Sequence, residues 1–180
     1  MVLAQEISEN NDPKKHPGLI NRSHVDQING LPIDFYLNHK RIDTPAKLFC
    51  KVQYALNDDE ETFRFLNGIL SDDPETRPFY LFIYNQAMKV TDGALSEYMT
   101  GICKRYLEKY PCEFLMSLKN NNPNIDLEKW TEFIAFELYD KKMFDQFALD
   151  IEKKVDEACS SGKSSWGKVK AKVEGKLENK

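Results

Sequence analysis

The residues of this 180-residue chain able to do chemistry are four cysteines, three histidines, two acidic clusters and a Gly-Lys-Ser triplet. Cys50, Cys103, Cys112 and Cys159 are widely spread, with no Cys-x-x-Cys pair among them. Four cysteines permit three pairings, and spacing does not choose between them. Cys50 and Cys103 fall on apolar helical faces and are expected to be small buried hydrophobes. Cys103 and Cys112 flank a helix junction, which makes them the expected bridge if the compartment is oxidising. His16, His24 and His39 lack a partner histidine at helical spacing and sit in no Cys-His cluster, so neither a zinc nor a carboxylate-bridged iron site is indicated. Surface histidines are expected. A Cys-His nucleophile would require His24 or His39 to meet a core cysteine by folding alone.

Gly162-Lys163-Ser164 carries the closing letters of a phosphate-binding loop, but Glu157 stands where the first glycine belongs and the segment follows a helical pattern. A nucleotide site is therefore not expected there. The acidic runs Asp58 to Glu61 and Asp72 to Glu75 suit the positive ends of helix dipoles and lack the Asp-x-Asp-x-Asp-Gly spacing of a calcium loop. No catalytic residue, metal or cofactor is expected. Chemistry is expected on a surface, where some of Tyr80, Tyr84, Tyr98, Tyr106 and Tyr110 could point outward, although core packing is the ordinary reading of each.

The elements that must position these residues are short helices. Thr44-Pro45 offers a cap and a preorganised first turn, followed by the apolar face Leu48, Phe49, Val52, Ala55 and Leu56. Asp58 with Glu61 reads as a capping box ahead of Phe63, Leu66, Ile69 and Leu70. Asp72 to Thr76 repeats that start chemistry before the aromatic run from Phe79, which is expected to be helical, with Pro78 in its first turns, because Ala87, Met88 and Val90 extend the pattern past strand length.

After Asp92-Gly93 the pairs Ala94/Leu95, Tyr98/Met99, Ile102/Cys103 and Tyr106/Leu107 recur every four residues. Pro111 opens a shorter helix through Phe114, Leu115 and Leu118, and residues 120–124 are a loop. Asp126 caps a helix carrying Leu127, Trp130, Phe133, Ile134, Glu137 and Leu138. A last core helix carries Met143, Phe144, Phe147, Ala148, Ile151 and Val155. Ahead of them all, Leu31, Ile33, Phe35 and Leu37 alternate with polar residues and Pro32, which suggests a short strand or extended segment.

The fold class that follows is all-α: about seven short core helices stacked as antiparallel hairpins, in a compact orthogonal bundle or a small α-solenoid-like array. The expected division is an irregular arm over 1–43, a helical domain over 44–159, and a linker with a basic amphipathic tail over 160–180. In the tail, Ser160 to Ser165 reads as a flexible linker. Trp166, Val169, Val173 and Leu177 then repeat at three or four residues, with Lys168, Lys170, Lys172 and Lys176 between them.

Of the net charge of −4, the tail contributes about +4, leaving about −8 on the rest. An acidic body disfavours nucleic acid as a partner. No run approaches the length of a spanning helix. Val2-Leu3-Ala4 before Gln5 has the pattern of a cleavage site, so the compartment is open between cytoplasmic and periplasmic or secreted. The tail residues named above are the candidate interaction surface. They could be solvated or loosely docked on the chain's own acidic body, bind a partner, or lie on an anionic membrane. The function expected is a non-catalytic protein-interaction module, the alternatives being a hydrolase-like enzyme with an unrecognised site between helices and membrane association through the tail.

Overall fold

The computed structural model describes residues 25–120, 122 and 124–179, so His16, His24 and the Val2-Leu3-Ala4 segment lie outside the described residues. The fold is all-α, with nine α-helices and a single two-stranded ribbon among the described residues. The chain divides into two compact units, 1–96 and 97–180, and the division falls inside the stretch that the sequence suggests is one helical domain.

The first unit begins with the antiparallel pair β1 (Gln27–Ile28) and β2 (Leu31–Pro32), joined by Asn29-Gly30 with both residues at positive φ. The expected extended segment stops there, because Ile33–Leu37 is a short helix, α1. Pro32 sits at its N-cap, and Ile33 N–H reaches back to the Asp26 carbonyl at 2.9 Å. α1 buries Tyr36 completely, stacks it on Phe79 with ring centroids 5.6 Å apart, and lets its hydroxyl donate to the Ile28 carbonyl at 3.1 Å.

α2 (Thr44–Cys50) is shorter than its apolar face suggests. Val52 takes a positive φ of 61°, which stops the helix before Ala55 and Leu56. Its N-cap is Asp43, whose carboxylate makes no cap bond and instead accepts from the Tyr80 hydroxyl at 3.0 Å. α3 (Glu60–Leu66) is capped by Asp59, one residue later than expected, through a 2.7 Å bond from Thr62 N–H. A 3-10 turn over Asn67–Leu70 follows. Gly68 is obligatory in it, since a Cβ there would stand 2.3 Å from the Tyr80 ring.

α4 (Arg77–Ala87) is the aromatic run, and it is buried on nearly every side, so no amphipathic stripe could have been seen. Asp73 organises the turn before it, accepting from Glu75 N–H at 3.1 Å and from the Thr76 hydroxyl at 2.8 Å.

α5 (Gly93–Lys109) starts at the end of the first unit and runs on into the second. The second unit continues with α6 (Pro111–Lys119), α7 (Leu127–Leu138), α8 (Lys141–Ala158) and α9 (Lys163–Glu178). Pro111 opens α6 as expected, and Asp126 and Asp140 cap α7 and α8 by accepting from Lys129 N–H at 3.1 Å and Met143 N–H at 2.8 Å. Trp130 is fully buried at the centre, 4.5 Å from the Phe114 ring and 5.7 Å from that of Tyr106.

Ser160–Gly162 is not a linker but a 3-10 turn that runs directly into α9. The expected Cys103–Cys112 bridge is corrected as well: the disulfide joins Cys112 to Cys159, while Cys103 is buried with its thiol against the Trp130 carbonyl and Cys50 is half-buried. Burial, with the negative Glu137 nearby, pushes the Cys103 thiol well up. This is the small buried hydrophobe that its apolar spacing suggested.

Candidate functional site

The residues proposed from sequence as an interaction surface all lie on α9, and its apolar members face inward. Trp166 is 4% exposed, Val169 and Val173 are fully buried, and Leu177 is half-buried. α9 packs chiefly on α7, then on α8 and α6. The Trp166 ring meets Phe147 edge-on, with centroids 6.3 Å apart, and its indole N–H donates to Glu152 Oε1 at 3.4 Å. Burying three such side chains is worth roughly 1.5–3 kcal/mol each, which exceeds the roughly 1 kcal/mol that Gly167 and Gly175 each cost a helix. The frayed tail that those glycines suggest is thereby replaced by a docked helix. The face that a membrane would take is the face turned inward.

Four of the lysines are held by the unit's own carboxylates. Lys170 Nζ lies 2.8 Å from Glu152, Lys163 Nζ lies 2.8 Å from Asp156, and Lys172 and Lys176 converge on Glu128, the former at 2.7 Å. Hydrogen bonds from Lys172 and then Lys176 hold the Glu128 carboxyl down at about 2, and that from Lys170 lowers Glu152 and raises Lys170 in return. The acidic body and the basic tail are thus complementary parts of one unit. Lys168 is exposed and has no carboxylate partner among the described residues.

Gly162 and Lys163 are used structurally. A Cβ on Gly162 would stand 3.2 Å from that of Leu115, so the glycine lets the start of α9 lie against α6, next to the Cys112–Cys159 bridge. Lys163 is engaged by Asp156, and the triplet lies where a 3-10 turn runs into α9, following a helix and not a strand.

Exposed aromatic chemistry lies elsewhere. Of the five tyrosines considered from sequence, Tyr80, Tyr84 and Tyr106 are buried and Tyr98 and Tyr110 are half-buried. Burial drives the Tyr80 hydroxyl up to about 12. At the corner between α7 and α8, by contrast, Phe136 is 53% exposed, Tyr139 66% and Met143 38%. Met143 is expected in the core from its spacing, yet it sits on the outer side of the first turn of α8. Phe136 falls between the buried positions Phe133, Ile134 and Leu138, and this was the signal in the sequence that it leaves the stripe.

Tyr139 has φ 29° at the C-cap of α7. His39, the one histidine within the described residues, is mostly covered, with Nε2 3.5 Å from Glu75 and its ring 5.6 Å from that of Phe35. No three of His, Cys, Asp and Glu gather as a metal-ligand set among the described residues, and no described helix is long and apolar enough to cross a membrane. Compared with known protein families, curated proteins and solved structures, the chain matches none.

Proposed function

We propose that the chain is a non-catalytic helical protein-interaction module and that the corner between α7 and α8 is its contact surface for another protein. The observation that carries this reading is Tyr139, which combines 66% exposure with a positive φ of 29°. A non-glycine residue in that region costs on the order of 1–3 kcal/mol, and a glycine at a helix C-cap would avoid the cost. An aromatic kept there against its backbone preference, and held out toward solvent, is better explained by a contact than by packing. Phe136 and Met143 add apolar area within the same corner. Tyrosine and phenylalanine suit such a role because they bring large contact area with few rotamers to freeze.

The test is affinity capture with the full chain and with a Phe136→Ser/Tyr139→Gly variant, followed by identification of retained proteins. A partner held by the native chain and lost with the variant supports the corner as the contact. An identical retained set for both chains refutes it.

A further inference from the structure

The chain contains two Asn-Gly pairs, Asn29-Gly30 and Asn67-Gly68, and the fold treats them oppositely. An asparagine followed by glycine can close a five-membered ring, because glycine has no side chain to obstruct attack by its backbone nitrogen on the asparagine side-chain carbon. Closure requires an untethered side-chain amide, solvent beside the glycine N–H, and a backbone able to turn until that nitrogen faces that carbon.

Asn29-Gly30 is the connection between β1 and β2, with φ of 51° and 79°. Both residues are exposed, the Asn29 side-chain amide makes no hydrogen bond among the described residues, and a Cβ on Gly30 would meet nothing described within 4 Å. Each strand is two residues long, so turning the backbone here disturbs the end of a short ribbon. Asn67, by contrast, ends α3 with helical dihedrals of −66° and −11°, and its side-chain amide donates to the Phe63 carbonyl at 2.7 Å. Gly68 lies in the 3-10 turn against the Tyr80 ring, which a Cβ would meet at 2.3 Å, and the fully buried Ile69 follows it. Closing a ring there requires α3 and the turn to open.

We infer that Asn29 is a site of spontaneous covalent modification, deamidating with water through a cyclic imide, and that the fold protects Asn67 from the same reaction. The Gly30 nitrogen bonds to Asn29 Cγ and gives up its proton to solvent, the Cγ–Nδ2 bond breaks, and ammonia leaves. Water then opens the imide. Opening at Cγ gives an aspartate with the original main chain, and opening at the backbone carbonyl carbon gives an isoaspartate, whose main chain runs through Cγ. Either product adds a negative charge to the turn. The isoaspartate also lengthens the turn by one carbon, which sets it against the Gln27–Pro32 and Ile28–Leu31 register.

The experiment incubates the full chain in warm, mildly alkaline buffer, once native and once in urea, and follows by fragment mass spectrometry the gain of about 1 Da at each asparagine. In the native chain Asn29 is expected to convert at least about tenfold faster than Asn67, and in urea the two rates should draw together, since each asparagine then has the same glycine neighbour and no fold around it. Asn29→Gln, which would have to close a six-membered ring, should lose the gain at that position, with a thermal melt to check that the variant is folded. A native ratio below about tenfold overturns the inference, because the fold then gives Asn67 no protection. A ratio that urea does not reduce also overturns it, by assigning the difference to local sequence. So does a native chain whose Asn29 stays intact while urea converts it.

Discussion

Two parts of the second unit exchange the roles that their sequences suggest. α9 carries the amphipathic pattern of an interaction surface, yet it is a structural element, with its apolar face against α7, α8 and α6 and most of its lysines on Glu128, Glu152 and Asp156. The α7–α8 corner lies in a stretch that reads as core, and it holds Phe136, Tyr139 and Met143 out to solvent. The difference teaches that periodicity reports the existence of an apolar face and not the identity of what covers it. Alternation of lysine with valine would look the same on a loose tail and on a docked helix. Only the positions of Glu128 and Glu152 on α7 and α8 decide between them.

The comparison breaks most directly at Trp166. If α9 is part of the core, Trp166→Ala should cost about 3–5 kcal/mol in a urea titration, whereas a loose tail would lose almost nothing. Next comes the Cys112–Cys159 bridge, which ties the start of α6 to the end of α8 immediately before α9. The Cys112→Ala/Cys159→Ala variant should lose about 2–4 kcal/mol of stability, measured in the same titration, because the reduced chain has more freedom when unfolded. An unchanged midpoint would show that the bridge contributes nothing to the folded unit.

The ion pairs give a smaller and pH-dependent effect. Glu128 is held down at about 2 by Lys172 and Lys176, so its contribution is present above the ordinary glutamate value of 4.5 and is lost as pH falls toward 2. Glu128→Gln should therefore lower the melting temperature slightly at pH 7, with the gap to the native chain closing between about pH 4.5 and 2. A gap that persists at pH 2 would assign the effect to packing. The smallest effect is expected at the corner. Phe136→Ser should move stability by less than about 0.5 kcal/mol, and Tyr139→Gly should leave it equal or higher, in thermal melts that also control the capture experiment. A loss near that of Trp166→Ala would return the corner to the core.

The helical class was legible because its signals are local. Pro111, Asp126 and Pro78 act through the few residues beside them, so their sequence spacing carries the whole cause. α2 was overextended because Val52 takes a positive φ, a conformation that a β-branched residue does not signal in sequence. The disulfide was assigned to the wrong pair for a similar reason: Cys112 and Cys159 are 47 residues apart and meet only once α6 and α8 are packed. The exposed corner was partly legible, since Phe136 falls off the stripe of Phe133, Ile134 and Leu138, but the backbone of Tyr139 was not. The order of residues 160–165 was hidden for the opposite reason, because they look like linker composition, whereas a 3-10 turn and the start of α9 take them up and bury Ser165.

The docking of α9 also sets how the chain meets a protease. Lys163, Lys168, Lys170, Lys172 and Lys176 would be the first bonds cut by trypsin in a loose appendage, but here they lie in one hydrogen-bonded helix anchored by Trp166, Val169 and Val173. Cleavage among them then requires α9 to open, and its rate reports how often that happens. A lysine-rich C-terminal segment that resists digestion as long as the rest of its unit is the behaviour this packing imposes. A fragment trimmed at residue 160 would be a unit with its largest helical cover removed.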